Sequence, residues 1–331
     1  MSRKDIISRL KLKTHPADRA ILLLLSLALI VALIRWPAVG VDLTPLIAVH
    51  VGLFVGFFVC CLGMGRWESA HWIQFVRPFA VIILLFTLYA SLGKLGLAAM
   101  PYRADEGLWL ADKWLLGFDP SLALQPYQTF GRIEFFSFVY GSFIPYIYLS
   151  LFLGCLGRPP LERDQFLTGW VFTYFISYLG YLFLPANGPV LFQAEQYIAP
   201  LNGGFFHNLV VTAIDSVGGP KGAFPSLHIG ASVYLCLFDL RTNRLRGMTY
   251  LPLILLIYMA TVFLRYHYVV DLIAGTAIAV VSLTLGNRVF RRWAQARQTA
   301  GLPALPGGEG DVLPVLSADN QTDAPLVFSA D

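Results

Sequence analysis

Eight apolar runs, each separated from the next by a polar segment, constrain the fold of this chain more than any other feature. Each run is 15 to 22 residues long, and a helix of about 20 apolar residues crosses the hydrocarbon core of a bilayer. The chain is 56% hydrophobic and 13% charged, whereas about a quarter of the residues in soluble domains are charged. We therefore predict an all-α fold, a polytopic membrane bundle of about eight transmembrane helices. The runs cover residues 20–34, 44–64, 78–97, 135–156, 166–184, 224–240, 248–264 and 268–286.

The distribution of Lys and Arg predicts the orientation of these helices. Short loops rich in these cations stay on the cytoplasmic side of a membrane. If both termini are cytoplasmic, 17 of the 24 cations lie in cytoplasmic segments. We therefore predict an integral membrane protein with both termini in the cytoplasm. The net charge of +4 is spread over short loops, so we expect no nucleic-acid partner.

The chain divides into four predicted parts. Residues 1–19 form a basic cytoplasmic N-terminus, 20–97 the N-terminal membrane helices, 98–297 the catalytic membrane domain, and 298–331 a disordered tail rich in Pro, Gly and acidic residues. Apolar residues recur at spacings of three and four within residues 104–116, which predicts an amphipathic helix in the membrane interface.

Glycine and proline pairs interrupt residues 185–223. They predict an irregular cap over the helix ends.

Two short polar motifs stand at the ends of apolar runs. Residues 224–230 read Phe-Pro-Ser-Leu-His-Ile-Gly, and residues 265–271 read Arg-Tyr-His-Tyr-Val-Val-Asp. One helix leading away from His228 and a second returning would bring His267 back to the membrane face where His228 lies. On the predicted topology, both histidines face the extracytoplasmic side.

These motifs carry groups suited to phosphoryl transfer. Ser226 precedes a helix start, where unpaired N–H groups favour a phosphate. His267 and Asp271 are four residues apart and share a helix face, so the carboxylate could orient the ring. Lys221 and Arg265 are the cations nearest to the histidines in the sequence and are the candidate phosphate-binding side chains.

Each residue also has a structural interpretation. A single histidine at a helix end is more often an interfacial residue than a catalyst, and His267 and Asp271 could form a purely structural hydrogen bond. A zinc site would need a third ligand at helical spacing, which does not accompany the histidines. We therefore expect no metal and no cofactor. All four cysteines fall within apolar runs and are expected to be inert packing residues.

Both motifs resemble signature motifs of a known family. Residues 224–228 and 265–275 are similar to the second and third motifs of the type-2 phosphatidic acid phosphatase superfamily. More narrowly, the forms Pro-Ser-Leu-His and His-Tyr-x-x-Asp resemble the inositol phosphorylceramide synthase branch, as do residues 112–120 and 181–189. The superfamily's first motif, a lysine seven residues before Arg-Pro, has no match here, because Ala70 stands at that offset from Arg77.

The resemblance implies a role for each motif residue. His267 would attack phosphorus and form a phosphohistidine, Asp271 would hold its ring, and His228 would protonate the departing oxygen and then activate the acceptor. Ser226 would help to bind the phosphate, and no metal would be needed. Because the first motif is absent, Lys221 and Arg265 are only substitutes for the usual phosphate-binding cations.

We expect a membrane enzyme that cleaves or transfers the phosphate ester of a lipid at the extracytoplasmic face. Its partners would be the bilayer, a lipid phosphate and a polyol or lipid acceptor. One form of this function is a phosphotransferase like inositol phosphorylceramide synthase, and an alternative is a lipid phosphate phosphatase acting on phosphatidate or an isoprenyl phosphate. A third possibility is a lipid transporter or binding protein whose polar residues perform no chemistry.

Overall fold

The computed structural model describes residues 14–38, 42–66 and 73–302. All regular secondary structure in these residues is helical, and loops connect the helices. This part of the chain forms eleven helices of twelve or more residues and no β-strand. The helices are α1 Pro16–Arg35, α2 Thr44–Arg66, α3 Ile73–Ala99, α4 Asp105–Leu116, α5 Phe130–Gly141, α6 Phe143–Leu156, α7 Pro160–Phe183, α8 Phe205–Ser216, α9 Leu227–Thr242, α10 Arg244–Phe263 and α11 Val269–Thr299.

Seven stretches of the described chain are long and apolar enough to cross a membrane. They comprise α1, α2, α3, the consecutive pair α5 and α6, α7, α10 and α11. The remaining predicted run forms α9, which has only 16 residues. The prediction of a polytopic all-α bundle is therefore confirmed, with seven candidate spans and one shorter helix.

α7 lies at the centre of the bundle and packs against α3, α9, α11 and α1. Its buried face is a continuous row of large aromatic side chains, whose contacts with neighbouring helices supply much of the core. The largest of these side chains are at most 2% exposed and are Phe166, Trp170, Tyr174, Tyr178 and Tyr181.

The predicted span 135–156 is confirmed as a candidate span over Phe130–Cys155, but it consists of two consecutive helices. α5 begins at Phe130 and ends at Gly141, and α6 begins at Phe143. Pro145 lies in the first turn of α6, where it has no N–H to donate to the carbonyl of Gly141 and its ring would clash with that carbonyl in a continuous helix. The break therefore falls at the preceding turn.

The predicted cap over residues 185–223 was wrong in part, because it contains α8. Glycines at 203 and 204 precede this helix, and glycines at 218 and 219 follow it. The carboxylate of Glu134 accepts hydrogen bonds from the backbone N–H groups of Gly204, Phe206 and His207 at 2.7 to 3.0 Å, which caps the start of α8. The glycines therefore mark helix ends.

Two predicted boundaries were displaced. α1 begins at Pro16, within the segment predicted as the basic terminus, because His15 accepts a hydrogen bond from the N–H of Ala17 and Pro16 suits the first helical turn. α11 continues to Thr299, past the predicted end at residue 286. The rest of the predicted disordered tail, from residue 303, lies outside the described residues.

An ion cluster joins the helices at the end of α9 remote from His228. The guanidinium of Arg246 donates to both oxygens of Asp239, at 2.7 and 2.8 Å. Arg158, between α6 and α7, also pairs with Asp239 and donates to Glu162 at 3.1 Å. Asp239 and Arg158 are both buried, and each has two partners of opposite charge, which offsets the cost of burying these charges.

Candidate active site

The structure brings the two motif histidines into contact. His228 lies in the first turn of α9, and His267 lies in the short segment between α10 and α11. Nε2 of His267 is 3.4 Å from Nδ1 of His228, and the ring centroids are 5.6 Å apart. α9 and α10 run antiparallel and pack along their lengths, which is why residues 39 positions apart meet at one end of the bundle.

Asp271 and Ser226 set the orientation of the His267 ring. Oδ2 of Asp271 is 3.3 Å from Nδ1 of His267 and also accepts the N–H of Tyr268 at 2.9 Å. A carboxylate accepts, so this contact places the ring proton on Nδ1 and leaves a lone pair on Nε2. That nitrogen is 3.3 Å from the hydroxyl of Ser226. The free nitrogen of His267 therefore faces Ser226 and His228.

Gly275 allows α11 to approach α9 closely behind the histidines. A Cβ at residue 275 would lie 2.4 Å from the carbonyl oxygen of Ser226 and 3.2 Å from the backbone nitrogen of Gly230. Contacts below 3 Å with backbone atoms require the helices to move apart. The spacing of His228 and His267 thus depends on the absence of a side chain at 275.

We expect Gly275→Ala to reduce kcat about 100-fold, because a displacement of about 1 Å between reacting groups has an effect of that size. Gly52→Ala is the matched control, since a Cβ at residue 52 on α2 would meet nothing within 4 Å. Steady-state kinetics of both variants, with thermal unfolding to verify the fold, provide the measurement. Equal kcat values for the two variants would contradict this role of Gly275.

A largely apolar cavity of about 650 Å³ opens beside the two histidines. Its size falls within the range of about 300 to 1,000 Å³ that is usual for small-molecule sites. α3, α5, α6, α7 and α8 supply most of its walls, and His228 and His267 are among the polar residues that line it. The wall residues are mostly aromatic or aliphatic, which suits an acyl or isoprenoid chain.

Aromatic side chains of the cavity hold His228 in place. Its ring centroid is 4.4 Å from that of Phe143 and 4.7 Å from that of Tyr140. Tyr140 also packs against Tyr266, at 4.8 Å. The sequence analysis did not single out these residues, although the tyrosines of α7 that line the same cavity, Tyr174, Tyr178 and Tyr181, recur at helical spacing and could have been recognised as one face.

Lys221 lies at the cavity wall, as expected of a phosphate-binding residue. Its side chain is 5% exposed, and Nζ donates to the carbonyl of Gly219 at 3.2 Å and to that of Val217. An ammonium group has three protons, so a further donor remains for a ligand. Burial lowers the pKa of Lys221 to about 8, and the charge of Lys94 contributes to the shift.

The ammonium group of Lys94 on α3 also lies close to Gly218, beside that of Lys221. The sequence analysis did not identify Lys94. A Cβ at residue 218 would lie 3.1 Å from Nζ of Lys94 and 3.4 Å from Nζ of Lys221. Gly218 has φ of 98°, so both the backbone conformation and the space between the ammonium groups favour glycine. The two lysines and Gly218 form a cationic pocket that could hold an anion.

The structure does not bring Arg265 to the cavity. This residue has φ of 65°, and its guanidinium donates to the carbonyl of Ala199 at 3.1 Å and to the side chain of Gln128. The ring of Tyr197 lies 3.8 Å from the guanidinium carbon. Arg265 therefore ties the α10–α11 connection to the segments that contain Gln128 and Ala199.

The residues that the structure describes contain no group of three or more His, Cys, Asp or Glu side chains placed to hold a metal ion. The four cysteines are free, and Cys155 and Cys236 are buried. The chemistry that this site offers on its own residues is acid–base and nucleophilic, from two imidazoles and a carboxylate.

The model of the PAP2 superfamily matches residues 106–285, more than half of the chain. This stretch includes Ser226, His228, His267 and Asp271. The chain belongs to the PAP2 superfamily. A "PA-phosphatase related-family protein" of Dictyostelium discoideum is 28% identical over 213 residues, which cover 56% of this chain and 39% of that relative. No solved structure matches the chain.

The PAP2 match confirms the superfamily on which the expected residue roles rest. The matched region begins at residue 106, so Lys94 and Asp105 lie outside it. The resemblance to the inositol phosphorylceramide synthase branch stays a prediction.

Proposed function

We propose that this PAP2 superfamily protein is an enzyme that cleaves or transfers the phosphate ester of a membrane lipid through a phosphohistidine on His267. The observation that carries the proposal is the contact of His267 with His228, Asp271 and Ser226, where both histidines line a largely apolar cavity. This arrangement offers a nucleophile, an acid and a volume for a lipid chain in one place. The cation distribution supports an extracytoplasmic location for the site.

In the first step, the lone pair of His267 Nε2 attacks phosphorus and the bond from phosphorus to the lipid oxygen breaks. A proton from His228 neutralises that oxygen, so the lipid alcohol leaves uncharged. Asp271 accepts the Nδ1–H of His267 and stabilises the positive charge that develops on the ring. The products are the phosphoenzyme and a lipid alcohol.

In the second step, neutral His228 accepts a proton from water or an alcohol, whose oxygen attacks phosphorus. The bond from phosphorus to Nε2 breaks, and His267 regains its lone pair. Nucleophile and leaving oxygen lie roughly in line on opposite sides of the phosphorus. Because the two imidazoles are only 3.4 Å apart, substrate has to enter between them and open this contact.

The cationic pocket of Lys94 and Lys221 supports a role in holding phosphate oxygens. Positive charge around the equatorial oxygens stabilises the transition state of phosphoryl transfer. Lys221 lines the cavity, and Lys94 lies across Gly218 from it. We do not assign this role to Arg265, because its guanidinium donates to the carbonyl of Ala199 and lies over the ring of Tyr197.

The phosphoenzyme can pass its phosphoryl group to water or to a hydroxyl compound, and both outcomes use the same residues. Similarity of the motif forms to the inositol phosphorylceramide synthase branch favours transfer to a polyol or lipid hydroxyl. The name of the Dictyostelium relative favours hydrolysis. We favour transfer and treat lipid phosphate hydrolysis as the second candidate.

Product analysis with purified protein in detergent–lipid micelles tests this choice. Phosphatidate, diacylglycerol pyrophosphate and an isoprenyl phosphate would be supplied alone, and phosphatidylinositol would be supplied with a lipid alcohol. Headgroup transfer to the lipid alcohol is the expected result. Release of inorganic phosphate without any transfer would establish the phosphatase instead.

We expect KM for an anionic lipid substrate to rise about tenfold between pH 7 and pH 9. Lys221 has a lowered pKa of about 8, so its charge is present below that pH and is lost as the pH rises through it. Lys221→Arg keeps its charge throughout this range, because the guanidinium has a much higher pKa. The variant is expected to move the rise in KM upward by more than one pH unit.

Lys113→Arg is the matched control for that titration. Lys113 lies on α4 over the ring of Trp109, 4.4 Å from its centroid, and does not line the cavity. Its variant should show the wild-type pH profile of KM. An unchanged profile in Lys221→Arg as well would remove Lys221 from substrate binding.

A further inference from the structure

Two buried carboxylates of α4 serve no part of the chemistry described so far. Asp105 and Asp112 are 1% and 2% exposed, although Trp114 on the same helix is 86% exposed. Buried carboxylates are costly unless they are hydrogen-bonded. Their partners are therefore informative about the purpose of this helix.

Asp112 binds the start of α11. One of its oxygens accepts the N–H of Val269 at 2.7 Å, and the other accepts the N–H of Val270 at 2.8 Å. These are the first two residues of α11, two and three positions after His267. The carboxylate thus satisfies N–H groups that the helix leaves unpaired, and it fixes the chain directly after the nucleophile.

Asp105 binds the other chain segments around His267. It accepts the N–H of Gly188 at 2.8 Å, that of Asn187 at 3.1 Å and the hydroxyl of Tyr268 at 3.2 Å. The 187–190 loop in turn holds the segment before His267, because the N–H of Val190 donates to the carbonyl of Arg265 at 2.7 Å. Asp105 therefore supports the chain on both sides of the nucleophile, through the side chain of Tyr268 on one side and through residues 187–190 on the other.

We propose that Asp105 and Asp112 are positioning residues, which fix the backbone around His267 so that its Nε2 points at the substrate phosphorus. The inference rests on the proposed function for its effect on turnover. We call this role of α4 the brace: its two carboxylates hold the start of α11 and the segment at Asn187 and Gly188 in fixed positions around His267. Asp271 orients the ring of His267, and the two α4 carboxylates orient the backbone that carries it.

The test uses Asp112→Asn and Asp105→Asn in the full-length protein. Asparagine offers one acceptor oxygen where the carboxylate offers two, so each variant loses part of the backbone contacts. We expect kcat to fall about 10- to 100-fold, with KM within about threefold of wild type, because the cavity and the lysines are unaffected. Asp112→Glu, which keeps both oxygens, should recover part of kcat.

Asp119→Asn is the matched control. Asp119 also caps a helix and binds backbone and side-chain donors, among them the indole of Trp109 at 2.7 Å and the N–H of Ser121 at 3.0 Å. None of its hydrogen bonds in the described part of the chain reaches residues 265–271. Its variant should keep wild-type kcat. If Asp105→Asn and Asp112→Asn lowered kcat and the unfolding temperature by no more than Asp119→Asn does, the proposal would be overturned.

A second readout does not require turnover. Diethyl pyrocarbonate acylates neutral imidazole, and mass spectrometry reports its rate at each histidine. In Asp112→Asn the rate at His267 should change at least threefold, whereas the rate at His207 should stay constant. If wild type turned over no lipid phosphate, the proposed function would fail while this change would still support the brace, and unchanged His267 reactivity would refute the brace itself.

Discussion

Replacing His267 with glutamine is expected to lower turnover of a lipid phosphate at least about 1,000-fold, as loss of a covalent nucleophile does in other enzymes. Glutamine can still donate a hydrogen bond, but its amide has no nucleophilic lone pair on nitrogen. The variant should fold, because His267 lies at the edge of a cavity and makes no ion pair other than that with Asp271 among the described residues. The measurement is initial rate at saturating substrate.

Covalent trapping makes this prediction specific to the mechanism. A radiolabelled substrate, quenched during turnover, should leave an acid-labile and alkali-stable label on the wild-type protein and none on His267→Gln. His50→Gln is the control, since His50 lies on α2 and binds only the carbonyl of Leu46 in the described structure. Full turnover by His267→Gln would exclude the proposed nucleophile, and lipid binding without turnover in wild type would favour a transporter.

Replacing His228 with glutamine is expected to lower kcat about 100- to 10,000-fold for a natural lipid phosphate, the usual contribution of a general acid. The effect should depend on the leaving group. An alkoxide is a poor leaving group and needs the proton, whereas a nitrophenolate leaves without one. In a single turnover, which ends before His228 is needed to activate the acceptor, the variant should therefore release nitrophenolate from p-nitrophenyl phosphate within about tenfold of the wild-type rate.

This comparison separates proton donation from binding. If His228 served only to hold phosphate, both substrates would lose activity by the same factor, and that result would contradict the acid role. The packing of His228 between Tyr140 and Phe143 keeps the cavity wall intact in a glutamine variant of similar length. Thermal unfolding of the variant provides the check on the fold.

The meeting of the two histidines could be predicted from the sequence because it depends on length alone. Two apolar runs, 229–240 and 248–264, lie between His228 and His267 and are joined by a short polar connection, so the second helix returns towards the face where the first begins. The contact of Asp271 with His267 was predicted from their four-residue spacing, although the shared helix was not: His267 precedes α11, and Asp271 reaches it from the first turn of that helix. Sequence spacing and the order of the helices were therefore sufficient to predict these parts of the site.

The cationic pocket could not be predicted in the same way. Lys94 and Lys221 lie 127 positions apart, and no periodic pattern relates a residue on α3 to a loop after α8. Arg265 illustrates the converse, because its closeness to His267 in sequence says nothing about side-chain direction. Its left-handed backbone turns the guanidinium towards Gln128 and Ala199.

The length of α9 has a consequence for where the reaction takes place within the bilayer. His228 and Arg241 are separated by about 20 Å along this helix, and the ion cluster around Asp239 marks the polar boundary at the Arg241 end. A hydrocarbon layer about 30 Å thick then reaches about 10 Å beyond the imidazoles. Under the proposed function, and with α9 along the membrane normal, the scissile bond would have to reach this recessed level while the lipid tail stays in hydrocarbon. Water or a polyol would have to descend from the aqueous phase, whereas a lipid alcohol would arrive from within the bilayer, so access to the site would govern which acceptor captures the phosphoryl group.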